Sequence, residues 1–584
     1  MTSSTIDPKF KFKKADDLNK VEEIFQLCGT QWGGPLTPKE FGKVFTNSIK
    51  NFKDSGNKVM PYYVEDSTNG KLVACTIVKF IKALYKPADK SSLISSVPDP
   101  QSFGVKNVTA LHVSFVFTSK EYRKQGLAEF CVSKAIATTE EEIIADNVND
   151  SVDSHAENFK KMTLDDPTGT VDRGLANYYL GKQYIWVLYS GVNTYYERFG
   201  FKSYPLDYYK IPVTSVTEGQ DELLNHLLQD EQHLRQTQPE TKSYQVGKRL
   251  RLLDWENKND QSLIQLIFQA KELGLLSEMS KLVFHTELQS SHRSSSSLTN
   301  LNSILGMKPI GSGTGLSSIA EAASAANSGK GFGLVLALGL ALGMALGLGP
   351  GLSASLHPND QSGSRRKSSA FNQTVSKFAI KPSFDNYKEK ILASLEIGAF
   401  CNGGKEYSIQ GAVLTNDLQQ RSYYILWTIL KGEFFITGMG EVPYEGLSQG
   451  TSRRRGSSFT GLNDLGGFNF QDLDLLVCAA VQNAKQRGSQ FENVYVATTD
   501  LPSDIPDEVL HDFFLNYLPF SSYASDEHKE RKQEQRNKGE EKNGIELIVN
   551  GADAVGVLPM IRQFGSTLKE FDLDWLENGM WCWG

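Results

Sequence analysis

The sequence lacks an excess of basic residues. Its 584 residues include 61 Lys and Arg against 68 Asp and Glu, which gives a formal net charge of −7. A protein that coats nucleic acid carries a basic excess, so this balance argues against that class of protein. Apolar residues make up 40% of the chain and charged residues 22%, as in an ordinary globular protein that can build a core.

Cysteine is scarce and scattered. The six residues stand at positions 28, 75, 131, 401, 478 and 582, and no two have C-x-x-C spacing. This spacing argues against a structural zinc site or a thioredoxin-like motif, and no metal is expected. Residues 1–14 are polar and contain no apolar run, so we expect no secretory signal, a cytoplasmic protein and reduced thiols.

Four stretches are too polar or too simple in composition to bury a core. They span about 138–173, which is acidic, 286–372, which is a Ser/Gly/Leu-rich linker, 444–466 and 525–543. Length alone suggests about four domains. With these stretches treated as disordered insertions, we predict two, at 5–285 and 373–584.

The linker contains an uncharged tract, Gly331 to Leu352, that is long enough to cross a bilayer of about 30 Å. Gly339, Gly343 and Gly347 repeat at the small-xxx-small spacing of packed membrane helices. The tract is nevertheless a degenerate repeat within a Ser/Gly-rich stretch, and a span would put the two ordered regions on opposite sides of a membrane. We therefore expect no membrane span, with a membrane-tethered protein as the alternative.

Two basic clusters precede serines within the insertions. Arg365 and Arg366 stand before Ser368, and Arg454 and Arg455 stand before Ser457. This spacing suits basophilic kinases, and a phosphate there would add roughly −1.5 to −2 charge. Solvated linker charge is the preferred interpretation of the two clusters, with phosphorylation of Ser368 and Ser457 as the alternative.

A strand, a basic-glycine turn and a helix form the most informative segment. Residues 110–118 are rich in β-branched and aromatic side chains and predict a buried strand. Apolar residues then recur at helical spacing, which predicts a helix that begins close to Arg123 or Lys124. A helix start binds phosphate through its unpaired N–H groups, and Gly126 would let a pyrophosphate approach the backbone. A capped surface helix would explain this turn as well.

A second segment has a related pattern. Residues 184–189 predict another apolar strand, Ser190 a helix N-cap, and Gly200 the end of a short helix. Residues 208–211 then predict a further strand. The order is strand, phosphate-type helix, strand, short helix, strand.

With these two segments the sequence resembles the GCN5-related N-acetyltransferase superfamily. Arg123-x-x-Gly126-x-Ala128 matches its acetyl-CoA loop, and Tyr196-Glu197-Arg198-Phe199-Gly200-Phe201 matches its Tyr-x-x-x-Gly-Phe segment. The resemblance covers about residues 5–215. The large C-terminal region, with the run from Asp574 to Trp581, more narrowly resembles the fungal lysine N-acetyltransferases.

The resemblance implies an α/β fold with a splayed mixed sheet and acetyl-CoA as cosubstrate. It implies direct attack of a small amine, in particular the side-chain amine of lysine, on the thioester, with Tyr196 protonating the departing thiolate. The implied acetyl-CoA contacts are Val116, Phe117 and Thr118 on the strand and Arg123, Lys124, Gln125, Gly126, Leu127, Ala128 and Glu129 in the loop.

The general base stays open. Some family members carry a glutamate twelve residues before the tyrosine, where this chain has Tyr184. His112 has a suitable ordinary pKa of about 6.5, and strand alternation would put it on the face of Ser114 and Val116. Alternatively, His112 is a structural residue and a chain of water molecules carries the proton of the amine to solvent. Residues 32–36 are the candidate acceptor loop, or a simple turn.

The C-terminal region predicts strands at 408–414, 422–430 and 432–438, a helix at 472–487 and a strand at 493–497. This order repeats that of the N-terminal region without its phosphate motif. It predicts an α+β domain. This domain is either a degenerate acetyltransferase-like half that forms a wall on the acceptor side of the active site, or an α+β domain with the same order by coincidence. Acetylation of a polyamine, an aminoglycoside or a protein lysine, and a non-catalytic acetyl-CoA-binding scaffold, remain alternative functions.

Overall fold

The computed structural model describes residues 6–87, 104–150, 173–216, 220–228, 247–280, 375–400, 407–430, 432–443, 470–488, 491–502, 505–520, 544–549, 557–568 and 571–582. The predicted insertions 286–372, 444–466 and 525–543 lie outside these residues. So do the apolar tract 331–352 and both candidate phosphorylation sites, Ser368 and Ser457.

The α-helices are α1 (Leu18–Trp32), α2 (Pro38–Asp54), α3 (Leu127–Asp150), α4 (Arg173–Leu180), α5 (220–228), α6 (Lys258–Ser280), α7 (Phe384–Phe400), α8 (Phe470–Gln486) and α9 (Asp507–Asp512). The 3₁₀ helices are Lys120–Tyr122, Asn193–Phe199, Val213–Ser215, Thr498–Asp500, Leu518–Phe520 and Met580–Cys582, and Phe513–Tyr517 is a π-helix.

The strands build two sheets. In chain order they are β1 (Phe10–Lys14), β2 (Val59–Asp66), β3 (Lys71–Lys86), β4 (Lys106–Thr118), β5 (Tyr184–Ser190), β6 (Lys202–Ser203), β7 (Tyr208–Pro212), β8 (Lys248–Asp254), β9 (Ser376–Ile380), β10 (Ile409–Asn416), β11 (Arg421–Leu430), β12 (Glu433–Val442), β13 (Asn493–Ala497), β14 (Glu546–Ile548), β15 (Leu558–Gln563) and β16 (Leu573–Trp575). The first sheet has the order β1-β2-β3-β4-β5-β15-β6, with β9 beside β3 and β16 beside β9. The second has the order β14-β7-β13-β12-β11-β10-β8.

Strand alternation divides the first sheet into two packed faces. Ala110 of β4 belongs to the apolar cluster that contains Phe25 of α1 and Phe41 of α2. Leu111, the next residue, belongs to the cluster that contains Val132 of α3. Successive side chains of a strand point to opposite faces, so α1 and α2 cover one face and α3 covers the other.

Capping residues set the start of both helices on the first face. The Asp17 side chain accepts the N–H of Lys20 at 2.8 Å. Thr37 and Glu40 form a capping box around Pro38 at the first helical position of α2. Each cap satisfies backbone donors that a helix start leaves unpaired, so the α1–α2 turn is specified locally.

Helix α3 differs from both predictions made for its bounds. It begins at Leu127 rather than near Arg123, and it continues to Asp150, so residues 138–150 are helical rather than an insertion. The acidic Glu140 is a structural residue: it accepts hydrogen bonds from Trp186 Nε1 at 2.8 Å and from Arg562 at 2.6 Å. Composition indicated an acidic insertion because the partners of Glu140 are distant in sequence. Residues 151–172 lie outside the described part.

The second sheet repeats the connectivity of the first. Strands β3 and β4 are antiparallel, α3 follows β4, and β4 pairs with β5 in parallel. Likewise β11 and β12 are antiparallel, α8 follows β12, and β12 pairs with β13 in parallel. The predicted α/β class, with mixed sheets and an α+β C-terminal half, is confirmed.

The sheets exchange strands across the predicted boundary. Strands β7 and β8, both within 5–285, pair with β13 and β10 of the second sheet. Strands β9 and β15, both within 373–584, pair with β3 and β5 of the first sheet. Sheet membership therefore departs from the predicted division at 286–372. An apolar pattern predicts a strand but does not identify its neighbour, so the exchange had no local signal.

Candidate functional site

Strand β4 carries a bulge near its C-terminal end. Cys75 lies opposite Phe117 while Ile77 lies opposite Ser114, so β4 has one residue more than β3 between these pairs. Phe115 in this bulge has φ = +50°. A bulky residue with positive φ costs about 1–3 kcal/mol and persists only where its surroundings enforce it. The bulge is thus a strained feature that the surrounding structure holds in place.

The surroundings of Phe115 come from three elements. Its ring packs edge-on against Phe25 of α1 at 4.9 Å and against Phe45 of α2 at 5.3 Å. Trp32, the last residue of α1, lies 6.3 Å away. The Cys75 thiol of β3 donates to the Phe115 carbonyl oxygen at 3.5 Å. The aromatic contacts on one face therefore stabilise the bulged backbone.

The bulge coincides with a divergence of β4 from β5. The parallel ladder between them ends at Val113 and Leu188. Beyond that point β4 continues beside β3 as far as Thr118, whereas Tyr189 and Ser190 of β5 pair with β15. Beyond Val113, therefore, the backbone of 115–118 is not paired with β5. An extended ligand can pair with such an unpaired edge as an added strand.

An exposed turn follows this stretch of β4. Lys124 and Gly126 have φ = +65° and +76°, and α3 begins at Leu127. Residues 123–126 are all exposed. Alternating positive φ values turn successive N–H groups towards one point, and the helix start adds its own partial positive charge. A turn of this kind can receive an anionic group such as a phosphate.

Side chains of the predicted cofactor contacts divide into buried and exposed sets. Phe117 and Leu127 are buried in the core, so only their backbones can meet a ligand. Arg123 folds back: its Nε donates to the Thr118 carbonyl oxygen at 3.2 Å, and its guanidinium lies 5.7 Å from the Phe117 ring. Glu129 is exposed and pairs with Arg198 at 3.3 Å. The segments 116–118 and 123–129 thus lie at the same end of β4.

Tyr196 lies in the short helix that follows β5. The segment is a 3₁₀ helix, Asn193–Phe199, and Gly200 ends it with φ = +87°. A side chain at Gly200 would also meet the backbone of Thr567 at 2.8 Å, so glycine is required twice. Ser190, the expected N-cap, is the last residue of β5, and its hydroxyl accepts the N–H of Val192 at 3.1 Å.

Burial keeps the Tyr196 phenol protonated. The residue is 8% exposed and shares an apolar cluster with Val113 and Leu188, and Val116 packs against that cluster. Burial, with a smaller contribution from Tyr195, raises the pKa of Tyr196 well above its ordinary value of 10. A protonated phenol close to the point where β4 and β5 diverge can donate a proton.

His112 lies on the opposite face from Val116. The bulge shifts the alternation, so that Val116 faces the α3 side while Phe115 and Phe117 face α1 and α2. The expectation that His112 and Val116 share a face is therefore wrong. Burial, followed by the charges of Lys79 and Lys390, lowers the pKa of His112 to about 3. His112 is neutral at physiological pH and only weakly basic, which argues against it as the base.

The expected acceptor loop begins later than predicted. Trp32 belongs to α1 and stacks edge-on against Phe117 at 5.2 Å, so it borders the bulge. A cavity of about 360 Å³ lies elsewhere, beside Thr109 and Tyr184 at the opposite end of the β4–β5 pair. We place no chemistry there, because it is remote from the bulge and the anion-binding turn.

Sequence reasoning missed two sets of charge pairs whose members are buried or half-buried. Lys79 of β3 pairs with Glu389 of α7 at 2.7 Å. Lys271 of α6 lies 3.4 Å from Glu577 and 4.0 Å from Asp500. Each pair joins residues that are far apart in the chain, so no local pattern predicts it. Of these residues only Glu577 lies in a segment that the sequence analysis singled out, the run from Asp574 to Trp581.

No family model matches the chain, and no curated protein matches it. Among solved structures, a probable N-acyltransferase of unknown function from Enterococcus faecalis V583 aligns over 95% of this chain and 72% of that chain, with 8% identity and a TM-score of 0.33. A GCN5-related N-acetyltransferase from Kribbella flavida aligns over the same shares with 8% identity and a TM-score of 0.32.

The Saccharomyces cerevisiae N-myristoyltransferase with bound myristoyl-CoA covers 96% of this chain and 85% of that chain, with 10% identity and a TM-score of 0.31. At such low identities and TM-scores these similarities do not assign a family. Within the described residues, no cluster of three metal-ligating side chains and no helix able to cross a membrane is present.

Proposed function

We propose that this protein is an N-acyltransferase that uses a CoA thioester, with acetyl-CoA as the expected donor. The observation that carries the proposal is the coincidence of three features at one end of β4. These are the bulge at Phe115, the divergence of β4 from β5 after Val113, and the turn at Lys124 and Gly126. Together they offer an extended edge for a pantetheine arm and exposed amides for its pyrophosphate.

In this reaction the amine nitrogen bonds to the thioester carbonyl carbon, and the carbon–sulfur bond then breaks. Backbone N–H groups at the bulge would stabilise the oxyanion that forms on the carbonyl oxygen. Tyr196 would protonate the thiolate that leaves, since its phenol is buried and protonated. The attacking amine would lose its proton to water, because His112 is too weak a base.

The proposed acceptor is the side-chain amine of lysine or a similar small amine. On the first face of the sheet, α1, α2 and the C-terminal half pack over the strands, which leaves less room for a large acceptor than for a small one. Trp32, Phe45 and Trp581 all belong to or pack against the one core that lies there. A polyamine, an aminoglycoside or a protein lysine, as alternative acceptors, would have to bind at the same face of the sheet.

Thiol release from acetyl-CoA tests the function. Full-length protein is incubated with acetyl-CoA and a panel that contains lysine, diamines, aminoglycosides and a lysine-containing peptide. Amine-dependent release, with lysine among the best acceptors, is the expected result. Absence of amine-dependent release with acetyl-CoA and with longer acyl-CoA thioesters would remove the proposal.

A further inference from the structure

Helix α6 carries its charges on the sides that face the protein. Three charged residues lie within 259–274 of this helix, and each belongs to an ion pair: Asp260 with Arg251, Lys271 with Glu577, and Glu272 with Lys381. Asp260 is buried, and the other two are half-buried. A surface helix usually turns its charges to solvent and its apolar side to the core. Helix α6 departs from that arrangement, because all three charges are engaged within the protein.

The exposed positions of α6 are accordingly uncharged. Within 259–274 they are Asn259, Ser262, Gln265, Leu266, Gln269, Ala270, Leu273 and Gly274. Leu266 and Leu273 are 45% and 41% exposed. With Ala270 and Gly274 they have the spacing i, i+4, i+7 and i+8, which places all four on one stripe of the helix. We call this stripe the outer face of α6.

The outer face is additional to the apolar side by which α6 packs on the core. Ile264, Ile267 and Phe268 belong to the core beneath the helix. One apolar side is sufficient for a surface helix, whereas apolar stripes on two sides are typical of a helix that is covered on both. Single exposed apolar residues need no partner, but an ordered stripe without charge marks a contact surface.

The chain leaves for the linker and returns from it at the C-terminal end of α6. The helix ends at Ser280, and the described chain resumes at 375. Lys377 of β9 donates to the Glu278 carbonyl oxygen at 3.5 Å, within the last turn of the helix. Both attachments of the linker therefore lie beside the helix that carries the outer face.

The linker contains a tract whose chemistry matches the outer face. Residues 331–352 have no charge and are rich in leucine. Residues 281–330 join the tract to α6, and a chain can extend by roughly 3.3 Å per residue. This reach exceeds the length of α6, which is roughly 35 Å at 1.5 Å per residue. A tethered segment also has a high effective concentration at a surface beside its attachment.

We propose that the uncharged tract, residues 331–352, packs against the outer face of α6 in the same chain. The contact removes Leu266 and Leu273 from water, and Ala270 and Gly274 allow the tract to approach the helix closely. The tract is then an intramolecular packing segment and does not cross a membrane. This inference is independent of the proposed function, because it uses no residue of the bulge or of the turn at Lys124 and Gly126.

Photo-crosslinking in the full-length protein tests the contact. Leu273→p-benzoylphenylalanine places a reactive group on the outer face, and Leu266→p-benzoylphenylalanine repeats the test two turns away. Both positions are exposed, so the variants should fold. Leu418→p-benzoylphenylalanine is the matched control, because Leu418 is 74% exposed and lies in the turn between β10 and β11. After irradiation, trypsin releases the tract in the peptide 331–365, which mass spectrometry identifies.

Crosslinks from positions 266 and 273 should reach the peptide 331–365 in protein of monomer mass. The yield from position 418 should be about 10-fold lower or less, since the tract is not held there. Replacement of 331–352 by a Gly/Ser sequence of equal length should abolish the crosslinks to this peptide from positions 266 and 273.

Crosslinks at dimer mass would overturn the proposal, because they would assign the outer face to a second copy of the chain. Absence of crosslinks to 331–365 from both positions would overturn it as well. So would equal yields from positions 273 and 418, which would show that the tract meets exposed surface without selection.

Discussion

Two neighbouring tyrosines, Tyr195 and Tyr196, differ in burial and in the residues that surround them. Tyr196 is buried within the cluster beside the diverging ends of β4 and β5. Tyr195 is half-buried, and the Arg198 guanidinium covers its ring at 4.2 Å. The two rings are perpendicular, at 89° and 5.1 Å between centroids. Adjacent identical side chains thus meet different surroundings, which provides a natural pair of test and control positions.

Replacement of Tyr196 by Phe should lower kcat by about 100-fold, because the proton for the leaving thiolate is lost while the ring remains. Binding of acetyl-CoA should stay close to that of wild type. Steady-state thiol release and calorimetric titration with acetyl-CoA measure the two quantities. Y195F is the control and should retain wild-type turnover. Equal kcat values for Y196F and wild type would withdraw the role of Tyr196 as acid.

Glycine is favoured at position 126 because its φ is +76°. G126A should destabilise the fold by about 1 kcal/mol and weaken acetyl-CoA binding by about 10-fold or more, since the amides of the turn lose their alignment. Gly432, with φ = +78° and open space where a Cβ would stand, offers the matched control. G432A should show the same loss in urea unfolding and no loss in titration. Similar acetyl-CoA affinities for the two variants would contradict the phosphate-binding turn.

At the scale of elements, the features that local sequence determines were predictable, and those that distant residues enforce were not. Strand β4, helix α3 and the helix end at Gly200 were predictable. The spacing of apolar residues and a glycine that ends a helix are patterns within one element, so the sequence shows them directly. The bulge at Phe115 was not predictable, since aromatic residues on α1 and α2 enforce it. The C-terminal segment, residues 571–582, was recognised only as a sequence run, because its partners lie in distant elements.

Asp500 links the C-terminal segment to the second sheet and should make stability depend on pH. Burial raises its pKa to about 7 from an ordinary 3.8, against the opposing influence of Lys271 and the Met580 N–H. The folded state therefore holds this proton more tightly than the unfolded state. The resulting stability is fully present below about pH 4 and is lost as pH rises through 7, by on the order of 4 kcal/mol.

D500N keeps an acceptor for the Met580 N–H but cannot ionise. Urea unfolding of wild type and D500N at pH 5 and pH 8 isolates the contribution of Asp500 as the difference between the two proteins. We expect D500N to gain stability relative to wild type on going from pH 5 to pH 8. A difference that does not change with pH would show that the carboxyl titrates normally.

At the scale of the whole molecule, the exchange of strands joins the two halves. The first sheet contains β9 and β15 from the C-terminal half, and the second contains β7 and β8 from the N-terminal half. Each half alone would leave sheet edges and apolar faces uncovered. Composition located the boundary between low-complexity and ordered sequence, but it carried no information about which strands pair.

Cleavage of the chain within 286–372 should leave the molecule assembled. A protease site is placed there, and after cleavage the two pieces should elute together and unfold in a single transition. The uncut protein with the same inserted site serves as the control. Separation into two independently folded pieces under native conditions would contradict the shared sheets.

Hydrogen exchange in the presence of acetyl-CoA tests the central claim most directly, because it reports where the thioester binds. We predict protection of the amides of 115–118 and 124–129 at saturating acetyl-CoA. The corresponding strand end of the second half, 437–442, should be unchanged. Unaltered exchange at both segments of the first half, or protection confined to the cavity beside Thr109 and Tyr184, would contradict the account.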